Sequence, residues 1–118
     1  MNAVKDKLIA LVGEELEAAN AIHPPFHSLH EGYAVLLEEV EEAKDALEKV
    51  ETATKCVWYF IKNDGAEDAY LDAASLEKQA INLAAEAIQV AAMARKFRAI
   101  GKGEDMTEEE MAKGRKKK

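Results

Sequence analysis

The chain has little of what interrupts helices. In 118 residues it holds two prolines, adjacent at Pro24 and Pro25, and six glycines. With alanine, leucine, glutamate and lysine dominant, that scarcity favours an all-helical fold. A single cysteine, Cys56, excludes an internal disulfide and fits a reducing cytoplasm. Basic residues are outnumbered, with a formal net charge of −7, so the surface does not suit a dedicated nucleic-acid binder, which needs cations against phosphates. No hydrophobic run spans a membrane: the longest, Ala80 to Ala94, is too short and is broken by Asn82, Glu86 and Gln89. Met1 to Gly13 also lacks the apolar stretch and cleavage site of a secretory leader. These absences predict a cytoplasmic chain with no membrane partner and no nucleic-acid partner.

What is present is the composition of a folded protein, 48% apolar and 33% charged. Its length fits one domain, taken as residues 1–100, followed by a flexible tail over 101–118. Val4, Leu8, Leu11, Val12 and Leu16 recur at helical spacing and predict an amphipathic helix over Ala3 to Ala21. Ile22 to Phe26 (IHPPF) ends it, because proline forces the preceding residue out of helical geometry. Ser28-Leu29-His30-Glu31 reads as a capping box opening a second helix, which runs to about Lys62 with a bend expected near Glu51 to Thr54. Asn63-Asp64-Gly65 is a turn signal. A third helix is expected to start between Glu67 and Ser75 and to end at Ile100, stopped by Gly101 and Gly103. A further turn is possible at Thr107 to Ala112, before the basic end GRKKK.

Helical angle divides the glutamates of VLLEEVEEAKDA, residues 35–46, into two kinds. Leu29, Tyr33, Leu36, Val40 and Leu47 define the main apolar face of the second helix, and Glu38, Glu41, Asp45 and Glu48 lie opposite it as a solvated face. Glu39 and Glu42 instead share a strip with Val35, Ala46 and Val50, and being three apart they can reach one point. In the third helix Asn82, Glu86 and Gln89 form a polar strip through an otherwise apolar stretch. Such a helix needs cover on several sides, which the few helices of one chain do not supply, so self-association is expected. An antiparallel pairing of the two helices would set the strips face to face. Unpaired carboxylates there would repel one another, and a hard divalent cation such as Mg²⁺ removes the repulsion. Periodicity leaves a second explanation standing, that each strip is the wet seam of an amphipathic helix.

The stretch HSLHEGYAVLLEEVEEAKDAL, followed downstream by AAEAIQVAAMARKF, resembles the MazG-like all-α nucleoside triphosphate pyrophosphohydrolases, in particular small members of bacterial and prophage type. The similarity covers roughly Phe26 to Phe97. It implies an antiparallel helical bundle of MazG-like type, completed as a homodimer or homotetramer. It also implies Mg²⁺-dependent hydrolysis of a nucleoside triphosphate to monophosphate and pyrophosphate. The family pattern, Glu-x-x-Glu on one helix and Glu-x-x-Asp on a later one, falls on Glu39 and Glu42 and on Glu86 and Gln89 as metal ligands. Gln89 departs from the family aspartate and supplies a neutral amide oxygen in its place. Glu38 is the candidate general base, and His27, His30 and Asn82 are candidate substrate contacts, with Asn82 a further possible oxygen ligand.

The alternative function is a non-catalytic helical interaction or regulatory protein that keeps the fold with a degenerate metal site. A zinc site from His23, His27 and His30 does not fit their spacing. A ferritin-like di-iron bundle needs Glu-x-x-His, which does not occur. Glu31 is assigned to the cap, Phe26 to a staple beside it or to base stacking, Cys56 to the core, and Arg95, Lys96 and Arg98 to the basic end of a helix.

Overall fold

The computed structural model describes residues 2–102, and every described element is helical: α1 (Asn2–Ile22), α2 (Leu29–Lys62) and α3 (Ala66–Lys102). The turn at Thr107 to Ala112, the GRKKK end and the stop at Gly103 lie outside the described residues. Among the described residues no helix is long and apolar enough to cross a membrane.

The caps explain where α2 begins and ends. The Ser28 hydroxyl accepts the Glu31 backbone N–H at 3.0 Å, the first half of a capping box. The second half differs from the expected form, since the Glu31 carboxylate accepts the backbone N–H of His27 rather than that of Ser28, and meets His27 Nδ1, both at 3.1 Å. The two hydrogen bonds from His27, side chain before backbone, hold the Glu31 carboxyl below its ordinary value. At the other end the Gly65 N–H donates to the Phe60 carbonyl at 2.8 Å and the Asp64 N–H to Ile61 at 3.4 Å, the bond pattern of a Schellman cap. Asp64 takes the left-handed position with φ of 54°, which Asp tolerates better than most residues. Gly65 leaves room for the Phe60 ring, whose Cδ1 would lie 3.1 Å from a Cβ there.

Two boundaries and one bend differ from expectation. Helix α3 starts at Ala66, directly after the turn, because the Gly65 carbonyl already accepts the Ala69 N–H at 2.9 Å. It continues through Gly101, since one glycine costs a helix only about 1 kcal/mol. Helix α2 is continuous over Glu51 to Thr54, with the Thr54 hydroxyl donating back to the Val50 carbonyl at 2.9 Å.

The described helices fall into two compact units. The first combines α1, the start of α2 through Leu36 and α3 from Ala91 onward. Its core is Leu16, Ala92 and Met93, with Val12, Ala19, Phe26, Val35 and Leu36 packed against them. Lys96 does not behave as a solvated helix-end cation. It is buried at 7% exposure, with its ammonium 4.8 Å from the Phe26 ring centroid, a cation–π contact. Gly32 is also buried, and a Cβ there would sit 2.6 Å from Phe97 Cδ1 and 3.2 Å from Phe26 Cδ2.

The second unit, Leu37 to Val90, is a hairpin of α2 and α3. Its seam is made on α2 by Ala46, Val50, Ala53 and Val57 and on α3 by Ala69, Leu76 and Leu83, all buried or half-buried. Alanine at Ala46, Ala53 and Ala69 lets the two backbones approach. The face expected to be the main core face is a correction: Leu29, Tyr33, Val40 and Leu47 are exposed, and only Leu36 of that set is half-buried. The strip that holds Glu39, Glu42, Ala46 and Val50 is the one facing α3.

Gly32→Ala is expected to destabilise the protein by about 1–2 kcal/mol, overpacking against two rings outweighing the better helix propensity of alanine. Urea denaturation measures this, and a midpoint equal to or above that of the unaltered protein would contradict the close approach.

Candidate metal centre

The hairpin turn fixes which residues of α2 and α3 stand abreast. In an antiparallel pair, positions equally far from the turn meet. Glu42 and Glu86 are each 22 residues from Asp64 (64 − 42 and 86 − 64). Glu39 lies one turn from Glu42 on the same face. One carboxylate oxygen from each of Glu39, Glu42 and Glu86 lies within 4.8 Å of the others. Glu39 and Glu86 are half-buried and Glu42 is exposed. All three belong to the second unit, and Glu39 and Glu42 lie on the α2 row whose later members, Ala46 and Ala53, are buried in the seam.

The cluster is electrostatically uncomfortable. Partial loss of hydration, followed by the negative charge of Glu86 and of Glu38, holds the Glu42 carboxyl above its ordinary value of 4.5. A hydrogen bond with Glu86 and the charge of Asp45 act in the same direction. A hydrogen bond between two carboxyl groups requires a proton on one of them, so the contact with Glu86 favours the protonated form of Glu42. A divalent cation could relieve the repulsion, because three carboxylates oppose each other most when all are ionised. The donor set is oxygen alone, which suits a hard ion such as Mg²⁺ rather than zinc or copper.

The other expected site residues occupy varied positions. Glu38 is exposed, and its charge reaches Glu42. Gln89 is half-buried and lies one turn after Glu86, while Asn82 is exposed one turn before it. His27 and His30 are exposed and belong to the first unit, where the His27 ring is engaged by Glu31. Asp45 lies on the solvated face as expected, and its charge still acts on Glu42 from one turn away; the i, i+3 spacing is the signal for this. No family model, curated protein or solved structure matches the chain, and its own residues carry the functional reading.

The raised Glu42 pKa has a definite sign in stability. Its contribution is full below 4.5 and is lost as pH rises through the higher folded-state value, because the folded protein then gives up a proton that it binds more tightly than the unfolded chain. Glu42→Gln is therefore expected to raise the thermal midpoint at neutral pH in chelator, with the difference shrinking as the pH falls toward 4.5. Added Mg²⁺ is expected to raise the midpoint of the unaltered protein more than that of the variant. A variant that is less stable than the unaltered protein in chelator at neutral pH would contradict the crowding of charge.

Proposed function

We propose that the protein hydrolyses a nucleoside triphosphate to the monophosphate and pyrophosphate, with Mg²⁺ as cofactor. The observation that carries this reading is the convergence of Glu39, Glu42 and Glu86 from two helices within 4.8 Å. In this reading those three hold the ion and the Gln89 amide oxygen assists one turn further along α3. Bound there, Mg²⁺ neutralises phosphate oxygens and orients the phosphate chain. Glu38, exposed beside the cluster, accepts the proton released as water adds to phosphorus, while the bridging oxygen departs with pyrophosphate. Asn82, exposed one turn before Glu86, is a substrate contact in the same reading, and His27 and His30 are carried as substrate contacts by the resemblance alone. Assembly as a homodimer or homotetramer belongs to the same reading, as does the MazG-like form of the bundle.

A second reading, a non-catalytic interaction or regulatory protein, is favoured by one feature. Gln89 brings no charge, so the cluster has three carboxylates where the family pattern would give four.

A screen of nucleoside triphosphates, canonical and modified, with Mg²⁺ and pyrophosphate detection separates the two. Turnover of at least one nucleotide is expected, reduced about 100-fold or more by Glu39→Gln. Silence across the whole panel would favour the second reading, and turnover untouched by the substitution would displace the proposed site.

A further inference from the structure

Helix α2 carries a second face besides its seam. Leu37, Val40, Leu47, Trp58 and Ile61 are all between 42% and 57% exposed. They fall on one continuous row of three- and four-residue steps, 37, 40, 44, 47, 51, 54, 58 and 61, the row that a coiled-coil partner reads. The row is about 36 Å long at 1.5 Å per residue and lies wholly within the second unit. Among the described residues nothing buries it, and no large side chain is fully buried.

The polar members of the row point to its occupant. Lys44, Glu51 and Thr54 are exposed, and the two charges have opposite signs at nearly equal distances from Leu47, three residues before it and four after. We propose that this row is the docking surface for a second copy of the chain, with α2 packed antiparallel on α2 and Leu47 at the two-fold axis. In that register Lys44 of each copy meets Glu51 of the other, so both charged interruptions are paired. Leu37 meets Trp58, and Val40 meets Thr54. A parallel pairing in register would set Lys44 against Lys44 and Glu51 against Glu51, which is repulsive twice over. Beside the row, Glu41 meets Lys55 of the other copy, and of these flanking charges Glu48 approaches its own counterpart. The interface uses a face of α2 other than the one that holds the carboxylate cluster, so it stands whether or not the protein is a hydrolase.

Sedimentation equilibrium and cysteine cross-linking of the full chain test this. In sedimentation, Lys44→Glu and Glu51→Lys are each expected to weaken dimerisation about tenfold or more, and the double exchange is expected to restore it to within about threefold. In a Cys56→Ser background, Leu47→Cys is expected to cross-link with itself under mild oxidation. Val40→Cys alone is expected not to, but to cross-link when mixed with a Thr54→Cys chain. Circular dichroism confirms that each variant remains helical. A monomer at all concentrations, a dimer indifferent to the charge exchanges, or self-cross-linking through position 40 would each overturn the proposal.

Discussion

The seam between α2 and α3 in the hairpin unit is the constraint on which the rest depends. It is narrow because Ala46, Ala53 and Ala69 are buried in it, and small residues allow close backbone approach. Its register is set at one end by the Asn63-Asp64-Gly65 turn, where a Schellman cap closes α2 and the next carbonyl starts α3. With the register fixed, carboxylates separated by more than forty residues of sequence are brought within 4.8 Å. A one-residue slip would rotate one strip away from the other by about 100°. The fold therefore holds three carboxylates together against their mutual repulsion.

The arrangement differs in geometry from an acidic seam confined to one helix. A solvated glutamate row spreads its charges along a helix, whereas these come from two helices, and loss of hydration with the charge of Glu86 holds the Glu42 carboxyl above its ordinary value. The small apolar core limits how much opposing charge the hairpin can hold. Packing supplied by alanines contributes less than packing supplied by leucines, since hydrophobic stabilisation scales with apolar area removed from water. The exposed leucines, valine and tryptophan of α2 are the reserve of apolar surface that the isolated chain does not use.

Much of this was legible in the sequence. Helix number, the proline break, the Ser28 cap and the turn at residues 63–65 followed from local chemistry. The pairing of Glu39 and Glu42 with Glu86 followed from helical angle and the antiparallel order. The main apolar face was misassigned because periodicity shows that a stripe is apolar without showing what covers it. In α2 the alanine-and-glutamate strip packs inward and the leucine strip faces out. Lys96 and Gly32 were also beyond reach, since a buried ammonium on the Phe26 ring and a glycine beneath two rings arise from tertiary contacts that leave no local pattern. The reciprocal bond of the cap shifted by one residue for a similar reason: the Glu31 carboxylate found both the backbone and the ring of His27.

The central claim, that Glu39, Glu42 and Glu86 form one cation site, is tested most directly by calorimetric titration of Mg²⁺ into the protein at mildly acidic pH. Saturable uptake of one ion per cluster is expected, with protons released as Glu42 gives up its own, and with the binding lost in Glu86→Gln. The absence of saturable uptake, or uptake unchanged by that substitution, would contradict the claim.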